Sequence, residues 1–135
     1  MTSRKKILVV DDSPDVAEVL RNFAERLGYD TRMATSAKAA KDLFREFQPD
    51  IVVLDVVMPD TDGVEYLRWL GREFPNRAAI LVVSGFPGEY VTSMHRLSEP
   101  LNAGISRFLS KPVRLEAFGK ALDELIAARE NPPAE

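Results

Sequence analysis

Short aliphatic runs recur along the chain, and most stop abruptly at a charged or hydroxyl group followed by turn residues. The clearest is Ile51-Val52-Val53-Leu54, which ends at Asp55 ahead of Met58-Pro59-Asp60-Thr61-Asp62-Gly63. A run this short and apolar at every position predicts a strand covered on both faces, as central strands of parallel sheets are. Lys6–Val10 has the same character and ends at Asp11-Asp12, Ala79–Val83 ends at Ser84, and Ser106–Ser110 ends at Lys111-Pro112. Tyr29–Ala34 reads as a further, more polar strand.

Between these runs the apolar spacing becomes helical. Val16, Val19, Leu20, Phe23 and Leu27, opened by Pro14 and stopped by Gly28, predict a first helix. Thr35 or Ser36 caps a second, which carries Ala39, Ala40, Leu43, Phe44 and Phe47 and is closed by Pro49. Asp62-Gly63-Val64-Glu65 has the form of a capping box before Tyr66, Leu67, Leu70 and Phe74, with Pro75 and Asn76 at the far end. Leu115–Ala128 is amphipathic on Leu115, Phe118, Leu122, Leu125 and Ile126. From Glu89 to Gly104 a helix is expected but interrupted, because Pro100 lacks a backbone donor and disfavours helix at Glu99. Alternating strands and helices predict an α/β protein: a parallel sheet with right-handed crossovers and helices on both faces, three layers in all.

A length of 135 residues fits one domain, placed over 1–130 with 131–135 as a tail or linker stub. The composition, 45% hydrophobic and 29% charged with a net charge of -3, is that of a soluble globular protein and offers no electrostatic reason to expect nucleic acid. The absence of cysteine excludes disulfides and thiolate metal sites and fits a reducing compartment, so the cytoplasm is expected. Ser3-Arg4-Lys5-Lys6 before Ile7–Val10 has the outline of a signal peptide, but the apolar run ends at Asp11, short of the ~7–15 residues required. No segment is long enough to span a membrane.

Four of the five strands end in a group suited to phosphoryl transfer: Asp11 and Asp12, Asp55, Ser84, and Lys111. Parallel strands bring these ends to one rim, where open α/β sheets bind ligands. Three carboxylates crowded together repel and call for a cation, and Mg2+ is the hard divalent ion such oxygens suit. Asp55 can then act as a carboxylate nucleophile toward phosphorus, with Lys111 neutralising oxygens and Ser84 supplying a hydroxyl hydrogen bond. Each residue has a plainer reading when taken alone. Asp12 could be a helix cap, Asp55 or Ser84 a turn residue, Lys111 a solvated charge and Phe108 a strand aromatic. Their coincidence at four strand ends outweighs those readings. His95 reads as a surface helix residue with no phosphodonor role, and no Gly-rich nucleotide loop joins a strand to a helix.

Val9-Val10-Asp11-Asp12-Ser13, Leu54-Asp55 through Gly63, Val83-Ser84-Gly85 and Phe108-Leu109-Ser110-Lys111-Pro112 resemble, in order and at near-family spacing, the receiver domains of two-component response regulators. The resemblance covers essentially the whole chain. It implies a flavodoxin-like, doubly wound sheet of order 2-1-3-4-5, the order that the flavodoxin and chemotaxis receiver folds exemplify. It implies that Asp55 accepts a phosphoryl group from a histidine kinase or histidine phosphotransfer protein, and that Asp12, Asp55 and the Val57 carbonyl ligate Mg2+ while Asp11 acts mainly through water. It further implies a phosphoryl-binding role for Ser84 and Lys111, an aromatic switch at Phe108, and a cis Lys111-Pro112 peptide. The chain is then a stand-alone, phosphorylation-activated signalling switch, not an enzyme, that acts by altered protein contacts on a downstream protein the residues do not name.

Two features depart from the family pattern. Val57 and Phe86 are apolar where polar side chains often influence attack by water, so a comparatively long-lived aspartyl phosphate is expected. Ser84 to Gly104 is several residues longer than usual and holds Pro87, Gly88 and Pro100, which argues against a standard output-face dimer. Two other functions compete. An aspartyl-phosphate phosphohydrolase typically carries a second Asp two residues after the nucleophile, where this chain has Val57. A receiver-like module that binds without phosphorylation has no need of Asp12, Asp55, Ser84 and Lys111 together.

Overall fold

The computed structural model describes residues 4–55, 63–75, 77–84 and 105–130. Five strands are present, β1 (Lys6–Val10), β2 (Asp30–Ala34), β3 (Ile51–Asp55), β4 (Ala79–Ser84) and β5 (Ile105–Ser110). All pair in parallel in the order β2-β1-β3-β4-β5, the expected doubly wound arrangement. Four helices are described: α1 (Pro14–Arg26), α2 (Ala37–Phe47), α3 (Gly63–Glu73) and α4 (Leu115–Glu130). The expected interrupted helix of Glu89 to Gly104 lies outside the described residues.

Strand alternation divides the core into two layers, because successive side chains point to opposite faces. Leu8, Val10, Val52, Leu54, Ile80 and Val82 face α2 and α3, where Ala40, Phe44, Tyr66, Leu67 and Leu70 cover them. Ile7, Val9, Ile51, Val53, Leu81 and Val83 face α1 and α4, where Ala17, Leu20, Ala24, Phe118 and Leu122 cover them. This double covering explains why β1, β3 and β4 lack the polar alternation of a half-exposed strand.

Helix α1 corrects one detail of the apolar pattern. Its buried residues are Ala17, Leu20 and Ala24, whereas Val19 is 48% exposed. The inward stripe is centred on the small residues, and Val19, about 100° round the helix from Leu20, lies off its edge. Leu27 is likewise exposed, because it caps the helix from beyond the last turn. Gly28 then adopts φ +96°, the left-handed conformation that ends many helices. A Cβ added there would meet no atom within 4 Å. Gly28→Ala is therefore expected to cost about 1 kcal/mol through backbone strain alone, read as a lower urea midpoint at unchanged m.

Helix α2 is capped by Ser36, whose Oγ accepts from the Ala39 N–H at 3.1 Å. It ends at Gln48, a non-glycine residue with φ 51°, rather than through Pro49 alone. Arg77 holds this turn, donating from Nε to the Gln48 side-chain oxygen at 3.0 Å and from Nη2 to its carbonyl at 3.1 Å. Strand β5 contains a register shift: Ile80 pairs with Ile105 but Leu81 with Arg107, so Ser106 is an extra residue. Such bulges are rare between parallel strands. Beyond it, Phe108 packs on the α2–α3 side and Leu109 on the α1–α4 side.

Candidate functional site

Asp11, Asp55 and Lys111 meet at the carboxyl edge of the sheet, although up to 100 residues separate them in sequence. Asp55 is the last residue of the wholly buried β3 and is itself 6% exposed. Asp11 follows β1 and is 1% exposed; its N–H donates to the Ala34 carbonyl at 3.1 Å, which continues the β1–β2 pairing by one step. The Asp11 carboxylate is held at both oxygens. Oδ1 accepts from the Ser13 N–H at 3.0 Å, and Oδ2 accepts from Lys111 Nζ at 3.0 Å. Lys111 Nζ also donates to Asp55 Oδ2 at 3.1 Å.

Burial alone would lower the pKa of the Lys111 ammonium, but its hydrogen bonds to and the charges of Asp11 and Asp55 more than offset this and leave it raised. The lysine is therefore charged throughout the physiological range. The stability linked to the lysine's own titration is fully present below about pH 10.4, the ordinary lysine value, and is lost as the pH rises through the raised one.

Asp12 completes the acidic group. One carboxylate oxygen from each of Asp11, Asp12 and Asp55 lies within 4.8 Å of the others. Helix capping does not account for Asp12, because Ser13 caps α1: its Oγ accepts from the Val16 N–H at 3.4 Å. Three clustered carboxylates, two of them buried, form an all-oxygen donor set that fits a hard divalent cation better than a soft one. Lys111 supplies one positive charge against their three negative ones.

The structure thus brings together Asp11, Asp12, Asp55 and Lys111. It places Ser84 at the end of β4, where its backbone pairs with Ser110, and places Phe108 half-buried against the α2–α3 layer. Val57, the expected carbonyl ligand, lies outside the described residues, as does Phe86. The Lys111-Pro112 peptide is cis, in agreement with the expectation. The part missed from sequence is Ser13, whose backbone N–H orients Asp11. The signal was available, since an Asp accepting from the N–H two residues on is a common turn.

An apolar groove opens beside this site, lined by Val16, Val19 and Leu20 of α1 and by Pro112 and Val113, with Asp15 and Lys111 at its edge. Among the described residues, no helix is long and apolar enough to cross a membrane.

A five-stranded sheet of order 2-1-3-4-5 with an acidic, lysine-bridged pocket at its carboxyl edge places the protein in the flavodoxin-like class of α/β folds. Within that class the chain belongs to the response regulator receiver domain family, whose sequence model matches residues 7–123. Response regulator protein PilR of Pseudomonas aeruginosa is 30% identical over 133 residues, which make up 98% of this chain and 28% of PilR. Chemotaxis protein CheY of Thermotoga maritima is 28% identical over 90% of this chain and 97% of its own length. Response regulator MprA of Mycolicibacterium vanbaalenii is 40% identical over 82% of this chain and 46% of MprA. The chain therefore spans well under two thirds of PilR and MprA and nearly all of CheY. The crystal structure of a sensor protein from Polaromonas sp. JS666 superposes with a TM-score of 0.80 at 32% identity, covering 92% of this chain and 97% of that one. Receiver domains are signalling domains of two-component systems; the family typically uses Mg2+, and its members interact with phosphodonor kinases and downstream targets.

Proposed function

We propose that this protein is a phosphorylation-activated switch in which Asp55 accepts a phosphoryl group from a histidine kinase or histidine phosphotransfer protein in a Mg2+-dependent reaction. The observation that carries the reading is the convergence of buried Asp55 and Asp11 on Lys111, at 3.1 and 3.0 Å. An ordinary core has no use for two buried carboxylates and a lysine at one strand edge.

An Asp55 oxygen attacks phosphorus as the bond to the donor's imidazole nitrogen breaks, and the imidazole departs with the electron pair. Mg2+, held by Asp12 and Asp55 with Asp11 behind them and the Val57 carbonyl as a further ligand, would supply positive charge to the phosphoryl oxygens. Lys111 lies close enough to transfer its hydrogen bond from the Asp55 carboxylate to one of those oxygens. The Ser84 hydroxyl is assigned a hydrogen bond to the product, whose added charge, about -1.5 to -2, draws Ser84 inward, and Phe108 the repacking that follows and alters the surface. The groove between α1 and Pro112-Val113, which reaches Lys111, gives a protein donor an apolar foothold. Action is placed in the cytoplasm, through contacts with a downstream protein rather than by turnover of a substrate.

The test is the intact mass of the protein after incubation with acetyl phosphate, with and without Mg2+. The expected result is a Mg2+-dependent gain of one phosphoryl group that decays slowly. No gain from acetyl phosphate or from a phosphohistidine donor would instead indicate a module that binds without phosphorylation. Sustained release of inorganic phosphate from simple phosphate esters would indicate a phosphohydrolase.

A further inference from the structure

We propose that the exposed face of α1 pairs with the same face of a second copy of this chain, the two helices running antiparallel about a two-fold axis. Among the described residues, the large hydrophobic side chains that stand exposed are Val19, at 48%, and Leu27, at 42%, on α1 and its cap. They border a seam between α1 and α4 that runs from Val16 and Val113 near the rim down to Leu27 and Gly119. The charges beside the seam identify its occupant. Asp15 lies in the first turn of α1 and Arg26 in the last. Eleven residues make almost three whole turns, so the two lie on one line, about 16 Å apart and within about 40° of Val19 around the helix. Neither makes an ion pair among the described residues. Glu18 and Glu25, by contrast, share Arg21 at 3.9 and 2.8 Å on the side of α1 away from Phe23, whose ring packs on Phe118.

In an isologous pair every contact occurs twice. A crossing midway between Asp15 and Arg26 sets Asp15 against the second copy's Arg26, and Arg26 against the second copy's Asp15. The same crossing brings Val19 beside the axis and Leu27 opposite the second copy's Pro14, at the mouth of the upper groove. A partner of one sign of charge would be repelled at one end of this stripe, whereas the stripe itself, reversed, is attracted at both. A contact of about three helical turns per copy is at the small end of specific interfaces, so the pair forms and separates with concentration. Its consequence for phosphorylation rests on the function proposed above. A copy seated on α1 covers the groove beside Pro112-Val113 and so closes the foothold of a protein donor until the pair separates.

The experiment is sedimentation velocity of the full chain over a range of concentrations, with thermal unfolding to establish that each variant is folded. The wild type is expected to show a reversible monomer–dimer equilibrium. Asp15→Arg or Arg26→Asp alone replaces two attractions with two repulsions and is expected to weaken the dimer at least tenfold. The double variant Asp15→Arg with Arg26→Asp restores both pairs with their signs exchanged, and is expected to recover most of the wild-type affinity. It also sets both charges against the dipole of α1, so a role confined to the helix predicts the opposite order. Val19→Glu, which brings two like charges to the axis from an exposed position, is expected to leave only monomer. A folded double variant that pairs no better than the single ones overturns the proposal. So does a wild type that stays monomeric up to ~1 mM, which would leave the stripe to a protein of different sequence. Sedimentation involves no phosphoryl transfer, so failure of the pairing leaves the reading of Asp55 untouched, and failure of that reading leaves the pairing untouched.

Discussion

Asp55→Asn is expected to abolish the gain of a phosphoryl group from acetyl phosphate while making the metal-free protein slightly more stable. The first effect follows from the amide, which has no anionic oxygen to attack phosphorus. The second follows from the balance of charge at the rim. The Asp55 carboxylate is attracted by one ammonium at 3.1 Å and repelled by two carboxylates whose oxygens lie within 4.8 Å. Removing the Asp55 charge relieves both repulsions in exchange for its ion pair with Lys111. Burial of the charge adds to the cost, and Lys111 keeps Asp11 as a partner in the variant. Calorimetry in EDTA should therefore show an unchanged or raised Tm for Asp55→Asn. Adding Mg2+ should raise the wild-type Tm more than that of the variant, since binding to the native state alone stabilises by mass action. A variant that still gains one phosphoryl group would move the acceptor to another residue. A markedly lowered Tm would mean that the ion pair, not the repulsion, dominates.

Phe44→Ala is expected to cost about 3–5 kcal/mol, the largest stability loss of any single truncation considered. Phe44 is fully buried and stands at the centre of the α2–α3 layer. Its ring lies 4.8 Å from that of Phe74 and 6.0 Å, edge-on, from that of Trp69, which in turn stacks on Tyr66 at 5.7 Å. The same helix lays Lys41 and Arg45 over Trp69. Removing the central ring leaves a void bordered by rigid rings that collapse poorly. Domains of this size have about 5–15 kcal/mol in total, so the variant should sit near its unfolding midpoint in modest urea. The near-UV circular dichroism of Trp69 should flatten. A loss below about 1 kcal/mol would show that the layer repacks around the gap.

Much of this architecture was legible in the sequence for a simple reason. A strand covered on both faces must be apolar throughout, so β1, β3 and β4 stood out, and the charged groups ending them were conspicuous. Asp11, Asp12, Asp55 and Lys111 could be assigned to one rim from topology alone. What was not legible depends on distances that no local pattern encodes. Val19 and Leu20 are both aliphatic, and only packing against the sheet decides which one faces inward. Gln48 adopts a conformation usual for glycine because Arg77, 29 residues away, fastens its carbonyl and side chain. The extra residue at Ser106 is a register choice between β4 and β5, and it decides which face Phe108 occupies. The sharing of one ammonium between Asp11 and Asp55 could be guessed as proximity but not as hydrogen bonding at both.

That shared ammonium also has a consequence for how the chain folds. Its two hydrogen bonds span 100 and 56 residues, so they are among the last contacts that a chain made from the amino terminus can form. Asp11 and Asp55 are synthesised long before Lys111, and until β5 docks beside β4 their charges oppose the closing of β1 against β3. Contacts of such long sequence separation form late and slowly. The buried Asp55 carboxylate acquires its lysine only when the final strand is in register, which ties assembly of the rim to completion of the sheet.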